Sequence, residues 1–280
     1  MLLTETIQEL YTPSETDATS IFEESLPTVF SDPRVQHGEP GEYLLYKNEE
    51  LGDFKLKLAT PDPSNTSLFS HYIWNASEDI TNASTNVPTA PENITNAEFN
   101  VAGKKVLEVG AGVGLPGIIA VYCEAEETVI SDYPAKEILD NIQTNLEINL
   151  SRSQLAKVSV IGHEWGQTDD KLCTSRPGAF DKIIAADCFW MDSQHENLAK
   201  SVKALLARDG ELLAFAGFHT GRAKVAGFFD AAERAGLVSV KITEKDIEGV
   251  EREWVRDRGQ EDPVERKRWL AIGVFKHKDL

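Results

Sequence analysis

The chain has 280 residues, enough for one large domain whose hydrophobic core needs neither a disulfide nor a metal ion to hold it together. Its 28 Lys and Arg side chains against 46 Asp and Glu give a formal net charge of −18. Because that charge repels phosphate backbones and anionic lipids, we expect neither nucleic acid nor a membrane surface as a partner. The same charge favours cationic partners or substrates.

Three cysteines, Cys123, Cys173 and Cys188, form no CxxC pair, which is typical of a protein from a reducing compartment. The six histidines show no metal-ligand spacing, so no metal site is expected. The opening residues lack a basic segment followed by an apolar one, and no apolar run reaches the roughly eighteen residues of a membrane span. We expect a cytoplasmic protein without a signal peptide, and we expect it to be a monomer.

The N-terminal part of the chain is acidic, with twelve acidic and four basic side chains in its first sixty residues. Alternating apolar residues at Glu42–Tyr46 and Phe54–Leu58 predict a small hairpin there. We interpret residues 1–67 as a partly ordered N-terminal extension and residues 68–280 as the main domain. The main domain opens with an apolar, aromatic stretch from Leu68 to Ile80, and a polar loop follows to about Asn100.

From Gly103 onward, short β-branched runs alternate with segments of helical periodicity, which predicts an α/β fold with a mostly parallel sheet and helices on both faces. The last two strands have no helical segment between them, so they predict a C-terminal hairpin that adds one antiparallel strand. The seven predicted strands are Lys105–Val109, Thr128–Ser131, Lys157–Gly162, Lys182–Ala186, Glu211–Phe215, Val238–Thr243 and Trp269–Phe275. The predicted helices are Leu115–Cys123, Ala135–Asn149, Ser193–Ala207 and Arg222–Ala235.

A glycine-rich turn follows the first of these strands, with Gly110, Gly112 and Gly114 at every second position. A dinucleotide fingerprint has the spacing Gly-x-Gly-x-x-Gly, and here the third glycine comes one residue early. Glu108 lies two residues before the turn, where its carboxylate would repel a pyrophosphate but could bind an ammonium group. S-adenosylmethionine carries an ammonium group and no phosphate, so the pattern favours that cofactor. Dinucleotide binding and a purely structural turn remain the alternatives.

Further candidates lie where the same sheet edge should expose them. Asp132 ends the next strand and could accept hydrogen bonds from ribose hydroxyls, which both NAD and S-adenosylmethionine carry. Trp165 follows the third strand and could stack on adenine, or it could be a core residue. Asp187 and Trp190 follow the fourth strand and could line an acceptor pocket, while a helix cap and simple packing are the alternatives.

These motifs resemble the seven-β-strand class I methyltransferases that use S-adenosylmethionine. More narrowly, they resemble the lysine methyltransferase-type family that includes fungal nicotinamide N-methyltransferase-like proteins. The resemblance runs from about Leu68 to Phe275 and implies a Rossmann-like, seven-stranded fold. The family's cofactor loop, ribose segment and adenine-side Trp-Gly correspond to Glu108, Gly110, Gly112, Gly114, Asp132-Tyr133-Pro134 and Trp165-Gly166.

Two further segments carry the family resemblance. Ile73-Trp74-Asn75-Ala76 matches the segment that lies over the methionine end of the cofactor, so Trp74 is a predicted cofactor contact. Asp187-Cys188-Phe189-Trp190 matches the Asp-x-x-aromatic motif, with Trp where Tyr or Phe is commoner. Asp187 is therefore predicted both to contact the cofactor and, together with Trp190, to act in catalysis.

The resemblance implies N-methyl transfer from S-adenosylmethionine to a lysine or an N-terminal amine of a protein. Relatives in this group methylate translation elongation factor 1-alpha at both kinds of site, so a basic protein, with a translation factor among the candidates, is the expected substrate. Two alternatives stay open. One is a small-molecule N-methyltransferase that takes a nicotinamide-like amine, and the other is a cofactor-binding interaction module without turnover.

Overall fold

The computed structural model describes residues 6–10, 36–63, 65, 72–74, 76–77 and 99–278. Its central feature is an eight-stranded sheet. The strands of that sheet lie in the order β12 (Glu251–Glu253), β11 (Leu237–Asp246), β13 (Trp269–His277), β10 (Leu206–Gly217), β9 (Phe180–Ala186), β6 (Lys105–Val109), β7 (Glu127–Asp132) and β8 (Val158–Gly162). Two small sheets pair β1 (Ile7–Glu9) with β3 (Tyr43–Asn48) and β4 (Gly52–Lys57), and β2 (Gln36–His37) with β5 (Ile73–Trp74).

The central sheet confirms the predicted α/β architecture. Strands β8, β7, β6, β9 and β10 are parallel to one another, and β13 enters antiparallel between β10 and β11. The consequence for the site is that β6, β7, β8 and β9 all end at the same edge of the sheet.

The structure adds one strand to the seven that the sequence predicts. Strand β12 pairs antiparallel with β11. Two strands of the central sheet, β12 and β13, are therefore antiparallel to the rest, where the sequence predicts one. This strand has only three residues and lies in a charged run without apolar alternation, which explains why the sequence pattern does not show it. An ion pair between Arg252 and the buried Glu244, with 2.7 Å between Nε and Oε2, joins it to β11.

Seven α-helices lie among the described residues, and the four predicted ones are confirmed within about two residues at their ends. The predicted helix Ser193–Ala207 ends at Leu205, because β10 begins at Leu206. The three unpredicted helices have four or five residues each, too few to show periodicity, and all three carry a side-chain N-cap. The helices are α1 (Leu115–Tyr122), α2 (Lys136–Asn149), α3 (Arg152–Leu155), α4 (Lys171–Ser175), α5 (His195–Leu205), α6 (Arg222–Arg234) and α7 (Pro263–Lys267).

Helices cover both faces of the central sheet. Side chains such as Leu107 and Val109 point to the face covered by α4, α5 and α6, whereas Ile130 points to the face covered by α1 and α2. None of the helices in the described ranges is long and apolar enough to cross a bilayer.

The predicted N-terminal hairpin is confirmed as β3 and β4. Its buried side chains, among them Leu44 and Phe54, belong to the same hydrophobic cluster as Ile118 of α1 and Ile138 of α2. Residues 43–58 thus share a core with the main domain, while the division at residue 67 stays a prediction. The stretch from Leu68 to Ile80 and the loop after it lie mostly outside the described residues.

A row of asparagines on α2 joins the hairpin to the main domain. Asn145 accepts from the Lys57 amide at 2.7 Å and donates to the Lys57 carbonyl at 2.9 Å, and Asn149 makes the same pair of bonds with Lys55. These side-chain amides satisfy the edge of β4 that does not face β3, much as a neighbouring strand would. Asn145 also donates to the carbonyl of Val113, 3.0 Å away, within the glycine-rich turn.

We predict that Asn145→Ala lowers the free energy of unfolding by about 3 kcal/mol, because three hydrogen bonds are lost at a fully buried position. Urea unfolding followed by circular dichroism measures this. The control is Gln143→Ala on the exposed side of the same helix, for which the change should stay within about 0.5 kcal/mol. Equal losses in the two variants would contradict a structural role for the asparagine row.

Candidate active site

A cavity opens at the edge of the sheet where β6, β7, β8 and β9 end, and its empty space, counted out to the open mouth, is about 980 Å³. Seven of the predicted site residues line it, namely Gly110, Gly112, Asp132, Tyr133, Trp165, Asp187 and Trp190. Glu108 and Gly114 lie behind this lining, and the side chain of Trp74 lies outside the described part of the chain.

The glycine-rich turn forms one wall of the cavity with its backbone. Gly110 has φ +62°, and a Cβ atom there would lie 2.7 Å from Sγ of Cys188 and 2.9 Å from Cζ2 of Trp165. A side chain would therefore collide, and only glycine allows the turn to pack this closely. Gly114, with φ +78°, is the residue from which α1 begins.

Asp132 holds the turn from the neighbouring strand. Its Oδ2 accepts from the Gly112 amide and its Oδ1 from the Tyr133 amide, both at 2.7 Å. Burial raises the pKa of this carboxyl, and the two amide bonds act in the opposite direction. Because a carboxylate has about four acceptor positions, two remain for hydroxyl groups of a ligand in the cavity.

Glu108 lies beneath the turn, 1% exposed, and its Oε2 accepts from the Gly117 amide at 2.8 Å. The carboxyl therefore supports the first turn of α1, and its predicted contact with a cofactor ammonium group stays a prediction. Burial raises the pKa of Glu108 to about 8, with the Gly117 bond lowering it and the nearby Asp132 raising it.

Asp187 ties three segments together at the end of β9. Its Oδ1 accepts from the Gly217 amide at 2.7 Å, and its Oδ2 accepts from the Ala76 amide at 3.3 Å. The backbone there has φ +53°, a conformation that costs about 1 kcal/mol or more for a residue other than glycine. Burial raises the pKa of Asp187, and His219, whose Nδ1 lies 4.0 Å from Oδ1, acts against that rise.

The two tryptophans at the cavity, Trp165 and Trp190, differ in their packing. Trp165 faces the cavity and also packs against the core cluster on the side of α5 and α6. It is therefore a core residue that also offers an aromatic surface to the cavity, so the two interpretations from the sequence are compatible. Trp190 is half-buried at the cavity, and its carbonyl accepts from Nζ of Lys224 at 3.0 Å.

The sequence interpretation did not select several of the lining residues. His163 and Glu164 directly follow β8, and their place at the carboxyl end of a parallel strand is the signal that could have identified them. Other lining residues that were not selected, among them Tyr72, Ser77, Met191 and Gln194, carry no comparable pattern.

The acidic side chains that line the cavity are Asp132, Asp187 and Glu164. Glu108, Asp132 and Asp187 surround Cys188, and burial together with these carboxylates raises the pKa of that thiol well above its ordinary value. A thiol held in its protonated form is a poor nucleophile, so Cys188 has a packing role. Among the described lining residues there is no lysine or arginine, which suits a ligand with positive charge.

We predict that the stability difference between Glu108→Gln and the wild type depends on pH. Since its pKa rises from about 4.5 to about 8 on folding, the native state holds more protons than the unfolded state across that range. Wild-type stability therefore falls as pH increases through that window, and glutamine cannot contribute to this fall. In urea unfolding at pH 5, 6.5 and 8, the free energy of unfolding of the variant should increase relative to that of the wild type. A difference between the two proteins that is independent of pH would contradict this assignment.

Comparisons with known proteins identify the family of this chain. A family model described as lysine methyltransferase matches residues 64–235. A relative from Schizosaccharomyces pombe, named protein N-terminal and lysine N-methyltransferase efm7, is 30% identical over 203 residues, which cover 69% of this chain and 72% of the relative. A relative of the same name from Cryptococcus neoformans is 29% identical, and the match covers 66% of this chain and 57% of the relative's length.

Solved structures support the fold. One methyltransferase complexed with SAH superposes with a TM-score of 0.56 at 15% identity, covering 85% of this chain and 57% of the other. A SAM-dependent methyltransferase from Streptococcus mutans gives a TM-score of 0.54 at 14% identity, covering 86% of this chain and 56% of the other. Because the family model matches more than half of its residues, this chain belongs to the lysine methyltransferase family.

Proposed function

We propose that the protein is an S-adenosylmethionine-dependent N-methyltransferase that acts on an amine of a basic protein. The observation that carries this proposal is the acidic cavity beside the glycine turn, with carboxylates at two strand ends and no lysine or arginine among its described lining residues. Such a cavity can accommodate the sulfonium, the ammonium group and the ribose of S-adenosylmethionine, whereas a dinucleotide site must also bind a pyrophosphate.

The chain's own residues would bind the cofactor through three contacts. The two remaining acceptor positions of Asp132 face the cavity and suit the ribose hydroxyls. Trp165 offers an aromatic surface for adenine, and Gly110 lets the backbone approach the ligand closely. When bound, S-adenosylmethionine supplies an electrophilic methyl group on a positively charged sulfur.

The acceptor amine would meet Asp187 and Trp190. A lysine amine has an ordinary pKa of about 10.4 and must lose a proton before it can attack a methyl group. Asp187, with two acceptor positions left after its backbone bonds, would orient the incoming ammonium. Trp190 would hold a methylated ammonium by a cation–π contact of roughly 0.5–2 kcal/mol.

The substrate class rests on charge and on the names of the relatives. The chain's net charge of −18 attracts a basic protein, and the exposed Glu164 places a carboxylate at the cavity. Relatives named for N-terminal and lysine methylation make these two amines the first candidates, with a translation factor as one protein that could carry them. A cytoplasmic, monomeric enzyme is part of the same proposal.

The proposal is tested by incubating the purified protein with tritiated S-adenosylmethionine and a cell lysate. We expect label in the macromolecular fraction, in a band absent when the Asp187→Asn variant is used. Label confined to small molecules would instead support an enzyme for a small amine. No label anywhere, with cofactor binding intact, would contradict methyl transfer and favour a binding module.

We predict different effects for the two cavity aspartates. Asp132→Ala should weaken S-adenosylmethionine binding about 100-fold or more, since it removes the ribose acceptor and frees the glycine turn. Asparagine tolerates the left-handed backbone at position 187. Asp187→Asn should therefore keep the Kd for S-adenosylmethionine within about threefold and lower kcat at least about 100-fold. Calorimetry and the labelling assay measure the two quantities, and equal loss of binding in both variants would contradict this division of roles.

A further inference from the structure

Three polar side chains form a hydrogen-bond chain behind the wall of the cavity that carries Trp165. Oδ2 of Asp170 lies 2.5 Å from Nδ1 of His163, and Nε2 of His163 lies 2.8 Å from Oγ of Ser201. The side chain of His163 is fully buried and Ser201 is 0% exposed, so water does not compete for the contact between them, while the Asp170 side chain is 24% exposed. The chain continues to the backbone, because Oγ of Ser201 accepts from the Gly166 amide at 2.8 Å.

For a neutral His163 imidazole, the partners determine the direction of each hydrogen bond. An ionised Asp170 only accepts, and one of its oxygens already accepts from the Cys173 amide at 2.9 Å, so Nδ1 of His163 donates to the other. In the neutral imidazole, Nε2 then accepts from the Ser201 hydroxyl. That hydroxyl oxygen in turn accepts from Gly166, and the chain of polar groups is satisfied from one end to the other.

The Trp165–Gly166 turn depends on these contacts. Gly166 has φ +89°, and a Cβ atom there would lie 2.7 Å from Oδ1 of Asn197 on α5. Its carbonyl accepts from Nζ of Lys200 at 2.9 Å, while its amide is held by Ser201 on the same helix. The backbone next to Trp165 is therefore bound at both its polar groups.

Two other functions for these residues do not fit the geometry. The contacts follow the order of a Ser-His-Asp triad, but Ser201 is sealed from solvent and its oxygen is engaged by Gly166, so no substrate can reach it. His163, Asp170 and Cys173 place possible metal-ligand atoms within 4.8 Å of one another. However, two ligands of a tetrahedral zinc ion lie about 3.3 Å apart, farther than the direct contact between His163 and Asp170.

We propose that Asp170, His163 and Ser201 are positioning residues that set the affinity for the cofactor by holding the Trp165–Gly166 turn against the adenine side of the cavity. This inference rests on the proposed cofactor site, and it adds residues that touch the ligand only through Trp165 or, for His163, lie at the cavity wall. Loss of these contacts should therefore weaken the binding of the adenosine part of the ligand.

The test is calorimetric titration of the full chain and its Ser201→Ala variant with S-adenosylmethionine and with 5′-methylthioadenosine, which lacks the methionine carboxylate and amine. We expect Kd for both ligands to increase about tenfold and by the same factor, because the shared adenosine part is affected. Ser201→Thr, which returns the hydroxyl, should recover most of the affinity. If Ser201→Ala does not fold, Ser201→Cys, with its weak acceptor, should show a smaller loss of the same kind.

The matched control is Ser131→Ala, which removes another fully buried hydroxyl, one without a hydrogen-bond partner in the described structure. Its Kd should stay within about twofold of the wild type. Unchanged affinity in folded Ser201→Ala, an equal loss in Ser131→Ala, or about one metal ion per chain that Asp170→Ala releases would each overturn the positioning role. A wild-type protein that binds neither ligand would instead overturn the proposed cofactor site itself.

Discussion

The hydrogen bond from the Gly112 amide to the Asp132 carboxylate is the contact on which the rest of the site depends. It joins the turn after β6 to the end of β7, and it does so with a carboxylate that is 6% exposed. Burying such a group is unfavourable unless hydrogen bonds or opposite charges compensate. Two backbone amides supply part of this compensation, and hydroxyl groups and positive charge on a bound ligand can supply more.

Further hydrogen bonds and packing contacts connect the glycine-rich turn to the rest of the fold. Val113, one residue after Gly112, accepts a hydrogen bond from Asn145, which also holds the edge of the N-terminal hairpin. On the opposite side, Trp165 packs over Gly110 and is held in place by contacts with α5. The cavity is therefore fixed by elements from both faces of the sheet, which favours a preformed binding site.

Much of this could be predicted from the sequence because it follows from local patterns. The boundaries of β6 were predicted correctly, and the glycines at alternate positions identified the turn. Strand β12, the capped short helices and the row from Asn141 to Asn149 were missed, because each depends on a contact distant in sequence or is too short for periodicity. The location of Glu108 beneath α1 was likewise beyond the sequence pattern, since a strand residue next to a turn can face either way.

The proposed function requires the carboxylates around the glycine turn to favour a cofactor with positive charge and no phosphate. This selectivity can be measured by calorimetric titration of the wild-type protein with S-adenosylmethionine, and separately with NAD⁺ in the same buffer. The structure predicts one molecule of S-adenosylmethionine bound per chain and no measurable binding of NAD⁺ even in large excess. Binding of NAD⁺ as tight as or tighter than that of S-adenosylmethionine would show that the site does not select against a pyrophosphate.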